Sequence, residues 1–114
     1  MGFKLDESGT YTWPVTVEVP ADGGKYLKQT FKLEFKRITQ TRLLEIGKDI
    51  ESGKITAIEL SKEVTVGWEG IDDDNGKEIA FTQSKFKKLL DRPLVANAIG
   101  TAFLEANFGA KRKN

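Results

Sequence analysis

Asp72, Asp73 and Asp74, followed by Asn75 and Gly76, crowd carboxylates into one short stretch, which is what a hard cation such as calcium seeks. The register rejects that use. With Gly76 at the glycine position of an EF-hand-type loop, the first ligand position falls on Ile71 and the last on Thr82, and neither can serve. Asp22, Gly23, Gly24 and Lys25 look like a phosphate cradle only superficially. Such a loop is longer, ends in Lys followed by Ser or Thr, and opens a helix, whereas Tyr26 follows here and a strand comes next. A hairpin turn accounts for it better. Paired carboxylates, Asp72 with Asp74 or Glu59 with Glu63, are the tools of acid–base chemistry on glycosides. The spacing of Glu59 and Glu63 is instead that of a solvated helix face.

The chain has no cysteine and no histidine in 114 residues. This removes disulfides, thiolate nucleophiles and sulfur-bound zinc, and with them the usual general base near neutral pH and the commonest transition-metal ligand. The sequence therefore predicts a non-enzymatic protein with no catalytic residue, no metal and no cofactor. Lys25, Lys28, Lys32, Lys36 and Arg37, with Tyr26 beside them, could form a basic sheet face that stacks single-stranded nucleic acid. Glu34 interrupts that face and Glu18 confronts it from the partner strand, and the net charge is only +1. No nucleic acid is expected, and a small nucleic-acid-binding module stays as a second alternative. No apolar run approaches the roughly 18 residues that span a bilayer, so no membrane partner is expected and the product reads as soluble and unsecreted.

Apolar residues at 39% and charged ones at 31% fit one globular domain over residues 1–114. Residues 1–10 lack a period and read as a flexible arm. Strict alternation of Trp13, Val15, Val17 and Val19 against Thr12, Pro14, Thr16 and Glu18 predicts a half-buried strand, which Pro14 confines to an edge or a bulge. A second alternating run follows Asp22, Gly23 and Gly24, with Phe31, Leu33 and Phe35 opposed by Lys32, Glu34 and Lys36. Residues 11–37 thus predict an antiparallel β-hairpin whose apolar face must be covered by what comes next.

Residues 39–109 read as the helical part. Thr39 caps a helix holding Leu43, Leu44 and Ile46, with Gly47 or Gly53 ending or interrupting it. Ile55, Ile58, Val64 and Trp68 recur at helical steps, with Leu60 slightly off the stripe, and predict a second helix. The β-branched cluster Val64, Thr65, Val66 suits a strand equally well. The acidic turn and a short extended piece at residues 78–81 precede Thr82, which caps a helix presenting Phe86, Leu89 and Leu90. Pro93 opens a last helix with Val95, Ala98, Ile99, Ala102, Phe103 and Ala106 on one face, Gly109 ends it, and residues 110–114 form a basic tail. The expected fold is α+β, an N-terminal antiparallel β-hairpin packed on a bundle of three to four α-helices. Trp68, flanked by Gly67 and Gly70, together with Phe86, Leu90, Ile99 and Phe103, is the expected partner-binding set, because large apolar side chains anchor protein interfaces.

The order and spacing of these pieces resemble the tail assembly chaperones of long-tailed bacteriophages. The pieces are Trp13-Pro14-Val15, the turn from Pro20 to Gly24, the run from Phe31 to Arg37, residues 64–71 and the turn from Asp73 to Gly76. Phe81-Thr82, Leu89-Leu90 and the Pro93-started, alanine-rich final helix complete the set. The resemblance implies binding to the tape measure protein, help in recruiting tail tube protein, and self-association into a homo-oligomer in some members. It also implies the cytoplasm of the bacterial host as location and absence from the mature virion. A structural tail or head-tail joining protein is the first alternative.

Overall fold

The computed structural model describes Gly2 and residues 9–109. Strand β1 (Thr10–Ala21) and strand β2 (Lys25–Lys36) are joined by a single 3₁₀ turn at Asp22–Gly24, where Gly23 takes φ 79° and Gly24 φ 74°. They pair antiparallel without a slip, from Thr10 opposite Lys36 to Ala21 opposite Lys25. Strand β3 (Thr65–Glu69) adds to the other side of β2, antiparallel, so the sheet order is β1-β2-β3. Among the described residues four helices complete the fold: α1 (Gln40–Ser52), α2 (Ala57–Val64), α3 (Gln83–Leu90) and α4 (Val95–Phe108). The α+β expectation holds.

Boundaries differ from the sequence reading in several places. Thr10 belongs to β1, and the Gly9 carbonyl accepts from the Arg37 amide at 3.1 Å, so the end of the expected arm is sheet. The rest of that arm, apart from Gly2, and the basic tail lie outside the described residues. The part read as wholly helical contains β3: α2 stops at Val64 and the chain runs straight into a strand, so Trp68 is on a sheet and not at a helix end. Thr56 explains the shift in phase. It caps α2 with a capping box, its Oγ accepting from the Glu59 amide at 3.1 Å while the Glu59 carboxylate accepts from the Thr56 amide at 2.9 Å. A helix starting at Ala57 turns Leu60 and Val64 inward and leaves Ile58 outside. Gly47 neither ends nor bends α1, which stops at Gly53 in the left-handed region with φ 77°. Pro93 lies in the turn before α4, whose N-cap is Leu94.

The core forms between the inner face of the sheet and the helices. Val15 and Val17 from β1 and Phe31, Leu33 and Phe35 from β2 meet α4 through Ile99 and Phe103, with the Phe35 and Phe103 rings edge-on at 5.3 Å. Each such fully buried side chain contributes about 1.5–3 kcal/mol relative to exposure. Trp68, Phe81 and Phe86 form a second aromatic cluster, with Phe81 5.1 Å from Trp68 and 5.5 Å from Phe86. The Trp68 indole donates to the Ile79 carbonyl at 2.6 Å, which fastens the excursion after β3 back onto the sheet. Helix α4 packs on β1 and on α2, and α3 packs on α4.

Candidate protein-binding surface

Three of the carboxylates that looked capable of chemistry, Glu59, Glu63 and Asp73, are engaged in holding the fold. The Asp73 carboxylate accepts from the amides of Asn75 at 2.8 Å and Lys77 at 3.0 Å, an Asx-type arrangement that shapes the acidic turn. Glu59 serves the capping box. Glu63 receives two parallel bonds from the Arg42 guanidinium, one of them Nε to Oε2 at 2.7 Å, which lower the Glu63 pKa and raise that of Arg42. Among the described residues no group of three or more His, Cys, Asp or Glu side chains could hold a metal ion. No helix of the described residues is long and apolar enough to cross a membrane. On the outer face of the sheet, lysines and glutamates alternate across the register, Lys28 opposite Glu18 and Lys32 opposite Glu69.

The five residues expected to bind a partner are all core. Trp68 is 9% exposed, and Phe86, Leu90, Ile99 and Phe103 are at 4% or less. The structure brings them together in one buried cluster. Phe86 and Leu90 are one helical turn apart, as are Ile99 and Phe103, and both pairs face the interior. Their burial in one chain leaves them no surface to present.

What stays open is the flank of α4 that faces α1 and α2. A groove runs there in two neighbouring parts, with cavity volumes of 330 Å³ and 380 Å³, that share Thr56, Ala57 and Asn97 as walls. The first part is lined by Ile50, Ile55 and Leu104 and by Gly100, whose missing side chain leaves it shallow-sided. The second continues past Ile58 and Leu94, which are 43% and 47% exposed. Asn97 and Thr101 form a ridge on α4, and beyond that ridge a further groove of 550 Å³ lies against Trp13 and Pro14 of β1. Small residues on α4 therefore leave room on both sides of one helix. A groove that exposes Ile50 of α1, Ile58 of α2 and Leu94 beside the alanine and threonine of its walls can admit another backbone closely.

Leu94 marks this flank in another way. It holds φ 73°, the one non-glycine residue with positive φ among those described, at an α4 N-terminus that no side chain caps. Sequence inspection missed Ile50, Ile58 and Leu94 as surface residues. Their only signal was apolar character at positions whose phase is set by the Thr56 cap and the turn around Pro93. Compared with models of known protein families, with curated proteins and with solved structures, the chain matches none.

Proposed function

We propose that this chain is a non-enzymatic assembly chaperone of the long-tailed phage type, which binds the tape measure protein and keeps it soluble while the tail tube is built. The apolar groove between α4 and the helices α1 and α2, with Ile50, Ile58 and Leu94 exposed around Ala57 and Gly100, carries the proposal. A long helical client repeats amphipathic stripes, and a shallow groove with small residues in its wall covers such a stripe without a deep pocket for any one side chain. Covering the stripe removes apolar area from water and keeps client molecules from associating with each other. The carboxylates engaged in caps, turns and the Arg42 pair fit a protein whose function is contact. The resemblance in the order of its motifs supplies the identity of the client.

Co-expression with the long helical protein encoded just downstream is the deciding experiment. The client is expected to move to the soluble fraction with the native chain and to stay insoluble with Thr101→Arg, which places a long charged side chain on the groove ridge at an exposed position. A client equally insoluble with and without the native chain overturns the proposal. A structural tail component would instead be retained in the purified particle.

A further inference from the structure

We infer that the distal half of β2, residues 25–31, is a docking edge that accepts an extended, alternately apolar and acidic segment of a partner protein as an added strand. Strand β3 covers β2 only from Lys32 to Phe35. At Gly70, with φ 84°, the chain turns away, and Ile71 and Asp72 pair instead with Ile79 and Glu78. From Lys25 to Thr30 every residue of β2 is exposed, and among the described strands β1 alone pairs with that stretch.

The two prolines of β1 set which backbone groups are free. Pro14 and Pro20 have no amide hydrogen, so their positions face away from β2, as proline in a strand requires. Pairing alternates residue by residue in an antiparallel ladder. The register partners of those prolines, Lys32 and Tyr26, with Lys28 and Thr30 between them, therefore turn their own amides and carbonyls away from β1. Lys32 meets β3; Tyr26, Lys28 and Thr30 meet no strand among the described residues. Their alternation is that of a template for strand addition.

Side chains select the occupant. On the outer face Tyr26 and Lys28 flank the edge; the inner face carries Leu27, Gln29 and Phe31 beside a groove of 550 Å³ that includes Ile71 and Leu89. Residues 25–31 hold two lysines and no carboxylate, and neither lysine forms an ion pair among the described residues. An added strand with apolar residues inward and carboxylates outward complements both faces. A second copy of this chain does not. A two-fold antiparallel pairing centred on Leu27, Lys28 or Gln29 with inner faces together sets Lys28 opposite or diagonal to its own copy, one centred on Thr30 sets it opposite the copy's Lys32, and like charges so placed repel.

The test uses the full chain and two synthetic peptides, one alternating valine with glutamate and one alternating valine with lysine, read by amide hydrogen exchange and by titration. The valine–glutamate peptide is expected to protect the amides of Tyr26, Lys28 and Thr30 and to bind more tightly than the valine–lysine peptide. The variant Lys28→Glu should weaken it about fivefold, since an attractive cross-strand pair on the outer face becomes a repulsive one. It should also reverse the preference between the two peptides. Lys28 is exposed, so the variant is expected to keep the native thermal transition. No protection at the three amides, protection confined to α2 and α4, or protection that rises with chain concentration in the absence of peptide each overturns the proposal, the last in favour of a second copy.

Discussion

The side-chain amide of Asn107 donates to the Tyr11 hydroxyl at 3.0 Å, tying the last turn of α4 to the first turn-length of β1 across 96 positions of sequence. The same amide donates to the Phe103 carbonyl at 2.9 Å, the Tyr11 ring meets Phe35 edge-on at 5.8 Å, and the Arg37 guanidinium lies 5.1 Å from its centre. Burial pushes the Tyr11 phenol up, partly offset by the Asn107 bond and the Arg37 charge. Tyr11→Phe keeps the ring contacts and removes only the acceptor, while Asn107 stays bonded to Phe103. A loss of about 1 kcal/mol in urea denaturation is expected. An unchanged midpoint would mean that water replaces the phenol without cost.

Thr65 carries the opposite imbalance. Its hydroxyl is buried at the α2–β3 junction with no hydrogen-bond partner among the described residues, and such a group loses its hydration for nothing. Thr65→Val keeps the β-branched shape that a strand favours and replaces the hydroxyl by a methyl group. Stability is expected to rise by about 1 kcal/mol. A fall in the denaturation midpoint would show that the hydroxyl is solvated in the native state.

Leu94 joins stability to the proposed contact. A leucine in the left-handed region costs about 1–2 kcal/mol, and its half-exposed side chain recovers little of that inside the chain. Leu94→Gly relieves the strain and is expected to stabilise the isolated protein by about 1 kcal/mol while reducing the solubilised fraction of the client. A variant that is more stable and equally active in co-expression would remove Leu94 from the surface.

Glu63 gives the pH dependence. Its hydrogen bonds from Arg42 hold the folded carboxyl below its ordinary value, against a smaller opposing effect of burial. A depressed folded pKa means that the contribution is fully present above the unfolded pKa and is lost as pH falls through the folded one. Glu63→Gln is thus expected to lower the thermal midpoint near neutral pH and to leave it equal to the native protein's in strong acid. Parallel midpoint curves at all pH values would show the pair to be inert.

Much of the hairpin was legible because a half-buried strand writes its two faces as alternating residue types. Val15, Val17, Phe31, Leu33 and Phe35 were readable as the inner set and all five are buried. Thr39 and Thr82 were readable as caps, since each accepts from the amide three residues on. Strand β3 was not. It is short, its pairing with β2 is non-local, and its register slips where Glu34 pairs with Gly67 and Phe35 with Thr65, so no alternation survives in the sequence. Within residues 64–71, Trp68 anchors Ile79 and Gly70 turns the chain at positive φ, so both serve the architecture of the sheet. Which apolar stripe is core depends on which neighbour reaches it. That information is tertiary, and the sequence-derived contact set was accordingly drawn from the interior.

Ile58 and Ile99 separate the two roles. Both are isoleucines on helices beside one another, yet Ile99 is fully buried and Ile58 is 43% exposed on the open flank. Ile99→Ala empties a packed site and is expected to cost about 2–5 kcal/mol, reducing client solubilisation only in step with the folded fraction. Ile58→Ser removes little buried area and should leave the denaturation midpoint within about 0.5 kcal/mol of native while lowering client solubilisation at full folding. The pair of measurements distinguishes a surface from a core directly. If Ile58→Ser solubilises the client as well as the native chain does, the α2–α4 groove is not where the client binds, whatever the resemblance of the chain as a whole.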